Sequence, residues 1–196
     1  MSHIRPFPWT QIQNSLLAKA AIPLYADPRR SYHNLDHLFR MFEWAEKLGL
    51  TYDPILDKAV WGHDSILDRK GQHELRSTHW LEAVEPGSFK SSELILTTVD
   101  HRLRKNGDNR LILLDLADFI DPEQTRKNTA CVAQEEKNFR PELTSSEILK
   151  GNQSYLSNLH LRLHQDLKDE KAGEHTKTFE KIFSGLTQVV HSLTSP

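Results

Sequence analysis

Cys131 is the only cysteine in the chain. One thiol cannot close an intrachain disulfide or build a cysteine-based zinc module, and it suits a reducing compartment, so a cytoplasmic location is expected. No apolar stretch approaches the ~20 residues of a membrane span, and the N-terminal residues show neither the basic start nor the apolar run of a secretory signal. A membrane partner is therefore not expected. A strong charge of one sign is missing as well. The formal net charge is −2 with the signs mixed along the chain, so the basic footprint of a dedicated nucleic-acid binder is absent. There is no internal repeat, low-complexity tract or strand-type alternation. What the chain does have is histidine, eleven in all, with His33, His37, His63, His73, His79 and His101 gathered toward its first half.

The apolar residues recur at helical spacing, and an all-α fold is expected, large enough at 196 residues to bury a substantial core. Ile12, Leu16, Leu17, Ala20, Ala21 and Leu24 form one stripe and predict a helix over about 9–25, broken before Pro28. Leu35, Leu38, Phe42, Ala45 and Leu48 mark the core face of a second helix, with Gly49 as its C-cap. Asp53 and Pro54 suit the start of a third, which continues through Ala59-Val60-Trp61-Gly62 into His63 and Asp64. The polar segment 68–71 reads as a loop. Further helices are expected at about 73–84, 91–103, 111–120, 122–139, 145–164 and 174–193, with the charged link 168–173 as a solvated turn.

Several polar groups fall on faces that should point inward. His63 and Asp64 follow Ala59 and Val60 by one turn, and His37 rows with Met41, Trp44 and Leu48. Asp115 interrupts the apolar run Leu111–Leu116, with Asp118 one turn further as its rival. A buried carboxylate needs a cation or a set of hydrogen-bond donors, so the choice lies between a metal site and a metal-free polar cluster. Two imidazoles and two carboxylates suit a borderline-to-hard divalent ion such as Mn, Fe, Co, Ni, Mg or Zn. About four protein ligands would leave positions open for water and substrate.

The same residues resemble the HD-domain superfamily, and within it the small bacterial predicted metal-dependent HD phosphohydrolases. Five elements carry the resemblance in order: Tyr32-His33-Asn34-Leu35-Asp36-His37, Ala59-Val60-Trp61-Gly62-His63-Asp64, Glu74-Leu75-Arg76-Ser77, Thr98-Val99-Asp100-His101 and Asp115-Leu116. The resemblance implies a single HD-type helical bundle over 1–196, with the metal-site core at about 25–140 and a helical extension at about 141–196. It implies His37, His63, Asp64 and Asp115 as metal ligands, with His33, Glu74 and His101 lining the pocket. The implied activity is hydrolysis of a phosphate ester or anhydride of a small, nucleotide-like molecule, with metal-bound water as nucleophile.

Within that reading, Glu74 is the candidate general base. His33 and His101 are candidate donors to phosphate or leaving group, His101 alternatively a ligand of a second ion, and Arg29, Arg30, Arg76 and Arg102 candidate phosphate holders. Three positions depart from the family pattern. Gly62 stands where a bulky aromatic is common, Leu113 where an aspartate often precedes Asp-Leu, and Gln134-Glu135-Glu136-Lys137 where Arg-x-Glu-Tyr is usual. Two other functions compete: a di-iron oxygenase on the same helices, and a non-catalytic sensor that binds metal or nucleotide. His160, His164, His175 and His191 belong to no motif and are expected to be surface residues.

Overall fold

Side-chain oxygens placed just ahead of helical runs decide where most helices start. In the computed structural model, which describes residues 5–68 and 71–194, Ser15, Asn34, Asp53, Asp121 and Thr144 each accept from backbone N–H groups of the turn that follows. Each such cap is worth about 1 kcal/mol. Arg69 and Lys70 of the expected loop 68–71 lie outside the described residues. Among the described residues there are nine α-helices and no strand, so the fold is all-α. None of these helices is long and apolar enough to cross a membrane.

The chain divides into two compact units, Met1–Asp27 with His33–Leu96, and Pro28–Tyr32 with Thr97–Pro196. The first holds α1 (Leu16–Tyr25), α2 (Leu35–Lys47), α3 (Pro54–Gly62), α4 (His73–Val84) and α5 (Phe89–Leu96). The second holds α6 (Arg110–Leu116), α7 (Pro122–Phe139), α8 (Ser145–Lys168) and α9 (Thr176–Thr194).

In the first unit α3 touches every other helix. Leu56, Ala59, Val60 and Trp61 are all completely buried, as expected of a helix enclosed on all sides. The segment before α1 lies against it too. Phe7 packs its ring on Phe39, Phe42 and Trp61, and the indole N–H of Trp61 donates to the Thr10 hydroxyl at 3.1 Å. Buried Asp57 accepts from the Thr10 hydroxyl at 2.6 Å and the Gln11 N–H at 3.0 Å. α1 begins at Leu16 rather than near residue 9: Trp9 sits at φ 62°, outside the right-handed helical region, and Ser15 caps the later start by accepting from the Ala18 N–H. Burial pushes the Asp57 carboxyl above its ordinary pKa, against the pull of its hydrogen bonds to Thr10 and Gln11.

Gly62 ends α3 in a tight place. A Cβ there would lie 3.1 Å from Ile95 Cδ1 and 3.3 Å from Leu81 Cδ2. With these neighbours, the bulky aromatic common in the resembled family has no room.

In the second unit α9 packs on α8, on α7 and on the 3₁₀ turn Ala117–Ile120 that follows α6. Leu159, Leu163, Phe179, Ile182 and Leu186 are fully buried there. Gly185 of α9 meets the Phe119 carbonyl oxygen so closely that a Cβ would lie 1.7 Å from it. The helix expected over 111–120 is α6 followed by this 3₁₀ turn. α8 opens on a reciprocal capping box between Thr144 and Glu147 and runs to Lys168, past its expected end.

The link after α8 is more tied down than a solvated turn. Lys171 Nζ reaches Asp166 at 3.0 Å and Asp169 at 3.2 Å, and its carbonyl accepts from Asn109 at 3.0 Å. His160 also departs from the surface role expected of it. It is half-buried, its ring stacks on Phe183 at 4.6 Å, and its Nε2 lies 3.0 Å from the Thr187 hydroxyl.

Candidate metal centre

Asn34 prepares the first ligand position. Its Oδ1 accepts from the N–H groups of Asp36 at 3.0 Å and His37 at 3.2 Å, which starts α2 at Leu35. His33 is left just outside the helix and His37 sits in its first turn, almost fully buried.

His63 and Asp64 lie beyond the last residue of α3, not inside the helix as their spacing predicts. Hydroxyls from two other helices capture the amides that would have continued it. The Asp64 N–H donates to Tyr25 Oη at 3.1 Å, and the Ile66 N–H donates to Ser77 Oγ at 3.1 Å. The chain turns there, and His63 and Asp64 point to one place.

His37 Nε2 and His63 Nε2 are 3.3 Å apart, and His63 Nε2 is 3.0 Å from Asp64 Oδ2. One ligand-type atom from each of the three residues lies within 4.8 Å of the others. His33 Nε2 stands 3.7 Å from Asp64 Oδ2, and its ring meets that of His37 edge-on at 5.7 Å. The imidazoles of His37 and His63 are 1 % exposed, the Asp64 side chain 16 %. The cluster is thus closed on its imidazole side and reachable at its carboxylate.

A proton count makes this geometry informative. His63 Nδ1 lies 2.8 Å from the Val60 carbonyl oxygen. A carbonyl only accepts, so Nδ1 carries the proton and Nε2 of the neutral ring presents a lone pair. That nitrogen lies 3.0 Å from Asp64 Oδ2, another acceptor, and 3.3 Å from His37 Nε2. Two acceptors 3.0 Å apart need a proton between them, on the ring or on the carboxyl, or a metal ion. Ligand bonds of about 2.1 Å put neighbouring ligand atoms roughly 3.0–3.4 Å apart in octahedral or tetrahedral coordination. The observed 3.0 and 3.3 Å spacings fit. The Nδ1–H bond to a backbone carbonyl is also the support that orients a ligating histidine.

Asp115 and His101 form a pair in the second unit. His101 Nε2 and Asp115 Oδ2 are 2.8 Å apart, with both side chains mostly buried. His101 is not in the helical row expected for it. α5 ends at Leu96, a 3₁₀ turn covers Thr97–Val99, and His101 follows with φ at +49°. Asp118, the rival of Asp115, is buried in the turn after α6 and accepts from Asn128 Nδ2 at 2.8 Å. Glu74 stands half-buried in the first turn of α4.

Of the arginines considered for phosphate, Arg76 makes a two-pronged ion pair with Asp68 at 2.6 and 2.7 Å. That contact raises the guanidinium's pKa further and occupies the donor fork. Arg102 reaches Asp166 at 3.4 Å, Arg29 lies over the Phe139 ring at 4.9 Å, and Arg30 is buried.

Two supports of the centre have no spacing signature in the sequence. Tyr25 reads only as the end of a helix, and Ser77 as part of a short motif, yet their hydroxyls turn the chain at His63-Asp64. In the second unit, buried Glu135 is likewise without a spacing signature. It accepts from the Tyr32 N–H at 3.0 Å. No family model, curated protein or solved structure matches the chain.

Proposed function

We propose that the chain is a metal-dependent phosphohydrolase of the HD type, acting on a phosphate ester or anhydride of a small, nucleotide-like molecule. The observation that supports this reading best is the convergence on His63 Nε2 of Asp64 Oδ2 at 3.0 Å and His37 Nε2 at 3.3 Å, with the His63 Nδ1 already engaged by the Val60 carbonyl. His37, His63 and Asp64 would hold the ion. Their nitrogen and oxygen donors suit Mn, Fe, Co, Ni, Mg or Zn. A divalent ion held there supplies Lewis acidity, lowering the pKa of a water and polarising a phosphoryl oxygen.

The protein's own groups then have definite tasks. Val60 keeps the His63 lone pair turned inward through its carbonyl. His33, beside the Asp64 carboxylate, donates to a phosphate oxygen. Glu74 takes the proton of the attacking water.

The test combines metal analysis of the purified protein with a turnover screen on nucleotides and sugar phosphates in Mn, Co, Ni and Mg. His63→Ala and Asp64→Ala are expected to lose metal and turnover while keeping helix content. Unchanged metal stoichiometry in both variants overturns the metal assignment. Bound metal with no turnover on any phosphate favours the sensor reading instead.

A further inference from the structure

His101 owes its position to a backbone that an L-residue with a side chain rarely adopts. Its φ of +49° lies in the left-handed region, uncommon for residues with a side chain although histidine adopts it more readily than most. Its surroundings are well defined. Asp166, fully buried in α8, accepts from the Leu103 N–H at 2.9 Å, from the Arg102 guanidinium at 3.4 Å and from Lys171 Nζ at 3.0 Å. Asn109 closes the other end of the segment. Its Oδ1 accepts from the Arg104 N–H at 3.0 Å, while its Nδ2 donates to the carbonyls of Arg104 at 3.2 Å and Lys171 at 3.0 Å. Asp100 adds a local turn by accepting from the Arg102 N–H at 3.0 Å.

A buried carboxylate with two cations is a costly way to pack a helix, because apolar residues of similar volume often serve stability as well or better. Here the carboxylate does something an apolar residue cannot. It takes the backbone N–H two residues after His101 and sets the direction in which the chain leaves it.

We propose that Asp166 is a positioning residue: with Lys171 and Asn109 as braces, it holds residues 102–104 so that His101 presents Nε2 to Asp115. The inference rests on the reading above only in taking the His101–Asp115 pair as part of the hydrolase chemistry. The bonds of Asp166 go to Arg102, Leu103 and Lys171, so it acts on the pair through the loop.

The experiment uses the full chain with Asp166→Asn and Asp166→Ala. Histidine ring 1H–15N spectra, with the His101 signals assigned by their loss in His101→Ala, are recorded beside hydrogen exchange of the Leu103 amide. Asp166→Ala is expected to speed exchange at Leu103 and to shift the His101 ring signals. Asp166→Asn, which keeps an oxygen for the Leu103 N–H, is expected to do both to a lesser degree. Turnover should fall about 10- to 100-fold in Asp166→Ala and fall no further when that change is added to His101→Ala.

Unmoved His101 signals in a folded Asp166→Ala protein overturn the proposal, as does an equal loss of turnover in the His101→Ala background. If Asp166→Ala does not fold, Asp166→Asn decides by the same two spectra. If the wild-type chain turns over no phosphate, the hydrolase reading has failed and the ring spectra still decide the positioning role.

Discussion

The backbone N–H of Asp64 donates to the hydroxyl of Tyr25, 39 residues earlier, at 3.1 Å. The bond ties the end of α1 to the turn that aims the centre, and the Tyr25 ring lies 6.5 Å from that of His63. Tyr25→Phe removes the acceptor and leaves a buried amide to satisfy. The expected cost is about 1–3 kcal/mol of unfolding free energy, with metal affinity falling about 10- to 100-fold. Denaturant melts and metal titration check the two effects. An unchanged metal affinity would show that the turn is held without Tyr25.

Gly62 tests the fit of α3. Gly62→Phe would drive its side chain into Ile95 and Leu81, which a Cβ alone approaches to 3.1 and 3.3 Å. The expected loss is about 1–3 kcal/mol. Because the nearest atom is the tip of the Ile95 side chain, adding Ile95→Ala should recover part of that loss. Thermal melts of the two single variants and the double variant measure the recovery.

Gly185→Ala meets a harder obstacle. The added methyl would lie 1.7 Å from a backbone carbonyl oxygen, and backbone cannot rotate away as a side chain does. A loss of at least about 3 kcal/mol is expected, read as a lowered denaturation midpoint. A melt within error of wild type would mean that α9 can slide past Phe119 at little cost.

Burial lowers the pKa of His160 below its ordinary 6.5, and His164 and His191 nearby push in the same direction. The unfolded chain therefore takes up this proton first as pH falls. The stability contributed by the neutral, stacked ring is complete above 6.5, declines as pH falls through that value, and levels off below the folded pKa. A series of urea melts from pH 8 downward should show the decline, and His160→Phe should flatten that component. Identical pH curves for the two proteins would remove His160 as its source.

Much of the fold is legible where the deciding contacts are local. Asp53-Pro54 opens α3, the turn Asp121-Pro122 opens α7, and α4 spans His73–Val84 as its pattern predicts. The cluster of His37, His63 and Asp64 is legible in part: apolar residues one turn from each are buried, although His63 and Asp64 follow the end of α3 rather than lying within it. Legibility fails where a distant group takes over a backbone donor. Tyr25 and Ser77 end α3 ahead of His63, and Asp166 takes the Leu103 amide from 63 residues away. Periodicity reads which face is buried. It carries no record of which amide a remote carboxylate or hydroxyl will claim.

Residues Pro28–Tyr32 belong to the second unit although the chain on both sides of them belongs to the first. Within the second unit they meet α7: Asn138 donates to the Arg29 carbonyl at 3.0 Å and to Ser31 Oγ at 3.2 Å, and Glu135 takes the Tyr32 N–H. A cut between Leu96 and Thr97 would therefore not yield two self-sufficient halves. A fragment starting at Thr97 would leave a buried glutamate without one of its donors. During synthesis, a short piece made early must wait for α7, more than 100 residues later in the chain, before its own partners exist.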